Sequence, residues 1–276
     1  MQHESQDVEI HPNAADSYKQ LAGERRRTLV EPEDDMWATF ADRAEPHALR
    51  LGAKLVGRFS VDEESQLHGY YVTDEFEAMA AALLVRVVDE MNVSAALTST
   101  VDPKFLSLSL AAGGVAQPVA LMYEHVARSE SDETVDVRLA GTADHSAAVR
   151  FYRAESGSSE PFVTPFVAER IDHHELFLVE ANGKIVATGE CRTDNRAPGN
   201  AHLGLVVGSE LRSQGIGSRL MHTLTEVCKE QGMTPLCSTE PTNTAAQRVI
   251  RRAGYRSRHQ VFNVATAGAK RSIRAP

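Results

Sequence analysis

The 276-residue chain has little cysteine and a single tryptophan: Cys191, Cys228 and Cys237 form an odd count with no paired spacing. That is neither a disulfide framework nor a zinc site, and it fits a reducing cytoplasm. No apolar run approaches the roughly 20 residues needed to span a bilayer. The opening stretch, MQHESQDVEIHPNAADS, lacks the basic-then-apolar order of a secretion signal, so residues 1–16 read as a flexible tail. Positive charge is also short. With 29 Lys and Arg against 38 Asp and Glu, the net charge is −9, which argues against general nucleic-acid binding. Neither nucleic acid nor a membrane is therefore expected as a partner. A hydrophobic content of 42% is enough for a globular core, and the length suits one large domain or two of ordinary size.

The segment ARSESDET is charged and polar with no apolar periodicity, and residues 128–133 read as a linker between two halves. In the second half, 134–266, TVDVRLA alternates like a strand and DHSAAVRFYRA has a helical pattern behind an Asp cap. Asn182-Gly183 between two alternating runs predicts a hairpin, and HLGLVV adds a third strand. A helix from the glycine pair to Gly232, the strand TPLCST, a helix capped by Thr242 or Asn243 and ended by Gly254, and a closing strand follow. The first half, 17–127, repeats this order. Asp102 precedes Gly113 by the same spacing with which Asn243 precedes Gly254, which predicts an internal duplication at an offset of about 140 residues. The competing reading is two unrelated α/β halves. Residues 267–276, basic in character, read as a flexible tail.

Chemistry concentrates in RSQGIGSR, between a strand and a helix. A helix N-terminus offers unsatisfied N–H groups and partial positive charge, which suits an anion. Gly215 and Gly217 would let a phosphate approach the bare backbone, with Arg212 and Arg219 adding charge. Neither the dinucleotide pattern G-x-G-x-x-G nor the Gly-Lys-Ser/Thr phosphate loop is present.

With that context, residues 134–265 resemble the GNAT superfamily of acyl-CoA-dependent N-acyltransferases. LVVGSELRSQGIGSRLM matches its strand and Arg/Gln-x-x-Gly-x-Gly/Ala signature, and NTAAQRVIRRAGY its later Asn-x-x-Ala…Gly-Phe/Tyr element. The resemblance implies an α/β fold with a mixed, mostly antiparallel sheet that splays at the fourth strand. It implies acetyl-CoA as the acyl donor, with no metal. The backbone of Leu205, Val206 and Val207 would meet the pantetheine arm. Arg212, Ser213, Gln214, Gly215, Ile216, Gly217 and Ser218 would hold the pyrophosphate, and Asn243 would reach the pantetheine or the cofactor end of the site.

The catalytic groups depart from the family pattern. Ile250 stands where many members carry a tyrosine acid, and Tyr255 reads as a packing residue. Ser238 or Thr239 could assist the leaving thiolate through water. Glu190 and Glu240 are the candidate bases, acting through water; His202 falls between the family's usual base positions. In the first half, Glu75 and Glu77 replace the two glycines, so that copy is expected to have lost its cofactor site. The paired His173 and His174 do not form a metal site, because adjacent side chains diverge. The reading is a tandem GNAT-like cytoplasmic acetyltransferase, monomer or homodimer. Its acceptor would be a primary amine on a small molecule, with 155–166 as a loop and 193–201 as a turn shaping the pocket. Acetylation of a protein lysine or N-terminus, and a non-catalytic acyl-CoA sensor, are the alternatives.

Overall fold

The computed structural model describes residues 7–127 and 133–266. The linker, apart from residue 133, the C-terminal tail and residues 1–6 lie outside the described residues. Two compact units divide the chain, residues 1–121 with 259–276 and residues 122–258.

The elements run β1 (Glu9–His11), α1 (Ala15–Thr28), α2 (Asp35–Arg43), β2 (Glu45–Leu51), β3 (Lys54–Val61), β4 (Gln66–Val72), a 3-10 turn (Asp74–Met79), α3 (Ala80–Glu90), β5 (Ala95–Ser99), α4 (Pro103–Ala111) and β6 (Val115–His125). They continue with β7 (Arg138–Leu139), α5 (His145–Ser156), α6 (Glu160–Asp172), β8 (Leu176–Ala181), β9 (Lys184–Thr193), β10 (Asn200–Val207), α7 (Ile216–Glu230), β11 (Thr234–Thr239), α8 (Thr244–Arg252) and β12 (Tyr255–Ala265).

In the first unit the strand order is β1-β2-β3-β4-β5. All pairings are antiparallel except β4–β5, which is parallel over Gln66–His68 against Ala95–Leu97. Val261–Ala265, the far end of β12, pair antiparallel with Ala95–Ser99 and so belong to this unit, not to the second half. The tail reading also gives way in part. Glu9–His11 pair with Ala48–Arg50, and α1 starts at Ala15. α3 exposes a hydrophobic stripe of Leu83, Leu84 and Val87 to a core that includes Phe59, Leu67, Tyr70 and Phe105. Each such side chain contributes about 1.5–3 kcal/mol by leaving water.

In the second unit the order is β11-β10-β9-β8-β7, again antiparallel except for one parallel pair, β10–β11. The hairpin β8–β9 turns on Asn182 (φ 52°) and Gly183 (φ 72°), the double positive φ of a type I′ turn. The strand expected over 134–140 shrinks to Arg138–Leu139, because only these two residues find a partner in β8. The expected loop 155–166 is largely helix: Pro161 occupies the first turn of α6, where a missing N–H is tolerated, and Pro165 lies inside it. α5 and α6 bury Val149, Tyr152, Val163 and Val167 on one face of the sheet with Leu176 and Leu178.

Both units share one device. Each parallel strand pair is three residues long and then ends, after His68 in one and His202 in the other. Each of these histidines is buried and bonded to a carboxylate, His68 to Asp62 at 2.8 Å and His202 to Asp194 at 3.0 Å. The same short pairing, the same histidine and the same capped helix after the next strand support the duplication.

Candidate active site

β10 stays hydrogen-bonded to β9 from Ala201 to Val207 but to β11 only from Asn200 to His202. Its other edge is therefore open from Leu203 onward. The phase of the β9 ladder decides which groups face the opening. Gly208 donates to the Val186 carbonyl at 2.9 Å, so even-numbered residues exchange hydrogen bonds with β9 and odd-numbered ones turn outward. Leu205 and Val207 thus present backbone N–H groups to the cleft, whereas the backbone of Val206 faces β9. This narrows the three-residue expectation to two.

The edge leads to the start of α7. Gly215 caps this helix with φ 82°, a conformation that costs a residue with a Cβ about 1–2 kcal/mol. The first bond of the helix runs from Arg219 N–H to the Gly215 carbonyl at 3.1 Å, so the amides of Gly215, Ile216, Gly217 and Ser218 precede the ladder. Gly217 has a different reason. A Cβ there would lie 3.3 Å from Val249 Cγ2 and 3.6 Å from Val207 Cγ2, so its absence lets the first turn lie against α8 and the end of β10. The glycine pair therefore divides its labour: one residue supplies the turn and the other the close approach.

Arg212 is tied into the framework. Its Nε donates to the Val207 carbonyl at 3.1 Å, and its Nη2 to the Glu155 carbonyl and carboxylate at 3.0 and 3.2 Å. Glu155 also accepts from Ser209 N–H at 2.7 Å. Arg212 thus shapes the loop, and Arg219, whose Nη1 is 3.7 Å from the place of a Gly215 Cβ and 3.6 Å from Glu133 Oε2, is a cation beside the start of α7. Ser213 takes a positive φ of 64°, and the Gln214 amide closes on the Glu210 carbonyl at 2.9 Å. Asn243 caps α8, its Oδ1 accepting from Ala246 N–H at 3.0 Å, which leaves its NH2 as the group able to meet a ligand.

The two candidate bases differ. Glu190 is 7% exposed and stands opposite Gly204 on β10, where its Oε2 is 3.1 Å from the place of a Cβ. Its Oε1 accepts from the Tyr152 hydroxyl at 2.6 Å, and its Oε2 lies 3.4 Å from Arg192 Nε. Burial, reinforced by Glu190, pushes the Tyr152 phenol far up, which keeps it a proton donor. Glu240 is exposed and serves the turn before α8: it accepts from Thr242 Oγ1 at 3.3 Å, and its carbonyl accepts from Asn243 N–H at 3.1 Å. His202 is 1% exposed and held by Asp194, whose carboxylate also takes the N–H groups of Arg196 and Ala197. Burial opposes ionisation of Asp194, but these bonds hold it below its ordinary value. This pair anchors the 194–199 turn.

Tyr255 is fully buried, bonded to Thr225 at 2.7 Å, as a packing residue should be. Ile250 is also buried. Tyr152 and Glu155 were not legible in the sequence, since a helix 38 residues upstream of Glu190 carries no mark of that contact. The three cysteines are buried and free, and no group of ligating side chains suited to a metal occurs among the described residues. No helix among the described residues is long and apolar enough to cross a membrane.

Residues 145–255 match the acetyltransferase (GNAT) family, and residues 14–126 match a second acetyltransferase (GNAT) domain. Among solved structures, a GNAT-family acetyltransferase from Colwellia psychrerythraea is similar at 30% identity and a TM-score of 0.88, over 94% of this chain and 99% of that one. A GCN5-related N-acetyltransferase from Sphaerobacter thermophilus matches at 16% identity and 0.64, over 94% and 96%. A tandem GNAT protein from the clavulanic acid biosynthesis pathway matches at 15% identity and 0.64, over 94% and 98%. The last two share the fold.

Proposed function

Since the chain belongs to the GNAT acetyltransferase family in both halves, we propose that it is an acetyl-CoA-dependent N-acetyltransferase acting on a primary amine of a small molecule. The observation that carries this reading is the open edge of β10 running into the helix start at Gly215. The Leu205 and Val207 backbone would pair with the pantetheine arm, and the amides of Gly215–Ser218 would hold the pyrophosphate, with Arg219 beside them. Asn243 would contribute its NH2 group.

In the reaction, the amine nitrogen attacks the thioester carbonyl carbon while its proton passes to the Glu190 carboxylate, directly or through one water. An N–H on the open edge stabilises the oxyanion that develops on the carbonyl oxygen. The C–S bond then breaks and the sulfur leaves as thiolate, so no tyrosine is required at the place of Ile250. Glu190 lies on the sheet face covered by α5 and α6, where Tyr152, Phe162 and Phe166 supply aromatic surface for the acceptor. The first copy would not bind the donor. Where α7 opens on Gly215 with a positive φ, α3 opens on Met79 with φ −94°, and Glu75 and Glu77, exposed and paired with Lys54 and Lys104, stand in the 3-10 turn before it and not at the positions of the two glycines.

The test is calorimetric titration of coenzyme A together with thiol release from acetyl-CoA across an amine panel. Binding to the parent chain, lost on replacing Gly215 and Gly217 with bulky residues in a folded protein, supports the site. Undiminished binding in that variant removes it, and binding without turnover on any amine favours a sensor.

A further inference from the structure

The start of α7 has fewer usable cations than its sequence suggests. Arg212 is bound to the Val207 carbonyl and to Glu155, and Arg219 has Glu133 at 3.6 Å. α8 and the start of β12 carry further arginines, Arg248, Arg251, Arg252, Arg256 and Arg258. Arg251 donates to Gln247 at 2.8 Å, Arg256 to the Tyr255 carbonyl at 2.9 Å, and Arg258 pairs with Glu124 at 2.5 Å. Arg252 has a polar or electrostatic contact as well. Arg248 differs from all of these: it is exposed and has neither hydrogen bond nor ion pair among the described residues.

Its position follows from the packing of two helices. β10 and β11 are parallel, and α7 and α8 each leave the finishing end of one of them, so both helices start at the same end of the sheet. The place of a Gly217 Cβ is 3.3 Å from Val249 Cγ2, which sets the first turn of α7 against the middle of α8. Thr244–Arg248 therefore run past the start of α7, over about 7.5 Å at 1.5 Å per residue, alongside the space in front of its amides. Gln247 and Ile250 turn into the core, and Val249 meets α7. Arg248 is left on the outer rim of this seam, its Cα about 3.8 Å from that of Val249.

Coenzyme A brings a diphosphate, which the amides of Gly215–Ser218 suit, and a separate monophosphate on the 3′ oxygen of its ribose. That monoester carries a charge of about −1.5 to −2 at neutral pH. In a chain with a net charge of −9 it needs a local cation, and a guanidinium matches two of its oxygens with parallel N–H groups. We propose that Arg248 receives the 3′-phosphate of coenzyme A and so lets the second unit distinguish the coenzyme from its 3′-dephospho form. The inference rests on the donor reading of the cleft and adds to it the group that holds the far end of the coenzyme.

The test is calorimetric titration of the full chain with coenzyme A and with 3′-dephospho-coenzyme A, with 31P spectra of the bound ligand as a second readout. The parent should bind coenzyme A more tightly than the dephospho form by about fivefold or more. Arg248→Gln, at an exposed position with an unchanged urea midpoint, should bring the two affinities within about twofold by weakening coenzyme A alone. Arg248→Lys should restore part of the difference, and Arg251→Gln, nearly one turn along α8, should leave the ratio as in the parent. The 3′-phosphate resonance should move on binding to the parent and stay near its free position in Arg248→Gln. Equal affinity of the parent for the two ligands overturns the proposal while the donor reading stands. So does a preference that survives in Arg248→Gln, or an equal loss for both ligands in that variant. Failure of the parent to bind either ligand overturns the donor reading itself, and this inference with it.

Discussion

Glu190→Gln separates a catalytic carboxylate from a structural one. Glutamine has nearly the same volume, and its carbonyl oxygen can still accept the Tyr152 proton now donated at 2.6 Å. The change removes a charge and its interaction with Arg192, 3.4 Å away. At a site only 7% exposed, the folded state should lose about 1–3 kcal/mol at most, the range for weakening a hydrogen bond to a charged group. Activity should respond far more. Loss of a positioned base lowers the rate about 10²–10⁴-fold, or about 2.7–5.4 kcal/mol of barrier at 1.36 kcal/mol per decade. The assay is thiol release from acetyl-CoA with a responsive amine, alongside the affinity for coenzyme A and the urea midpoint. Both kcat and kcat/KM should fall by those decades with cofactor affinity within about twofold. Tyr152→Phe is the control: it leaves the carboxylate in place, removes its donor and should mainly cost stability. A Glu190→Gln enzyme within about threefold of the parent kcat/KM would show that this carboxylate only packs the sheet, and the proton would need another acceptor.

Three further outcomes follow from the geometry. Gly215→Val forces a branched side chain into φ 82° at the cradle, and should weaken coenzyme A at least tenfold by calorimetry while costing about 1–3 kcal/mol of stability. Gly189→Ala puts a methyl 2.8 Å from the fully buried Leu224, and should lower unfolding free energy in urea by about 1–3 kcal/mol, with no gain from strand propensity. Asp144 is held down to about 2 from its ordinary 3.8, first by hydrogen bonds from Arg138 and then by Gly141 N–H. Its contribution is therefore present above pH 3.8 and lost as pH falls toward 2. Solvent screening limits it to about 1 kcal/mol or less. Asp144→Asn should remove that part of the acid-side slope in a pH series of urea melts, leaving the neutral-to-alkaline side parallel to the parent.

Much of the second unit was legible in the sequence because its signals are local. Asn182-Gly183 can close a two-residue hairpin wherever it stands between alternating runs, and Asn243 and Gly254 bracket a short helix by their own backbone preferences. The glycine loop was readable for the same reason. The expected loop over 155–166 failed where local signals mislead: two prolines suggest a break, yet one sits in the first turn and packing of Val163 and Val167 holds the helix through the other.

The sequence by itself determined the duplicated element order, the acidic balance and the glycine turn that opens α7 at Gly215, all of which depend on residues close together along the chain. Only the tertiary structure decided which groups those elements meet. Register turned the backbone of Leu205 and Val207 to the open edge and that of Val206 away from it. Packing gave Arg212 to Val207 and Glu155, Tyr152 to Glu190, and the end of β12 to the first unit. Such pairings join residues tens of positions apart, and their energy comes from burial and hydrogen-bond geometry that exist once the sheet has formed.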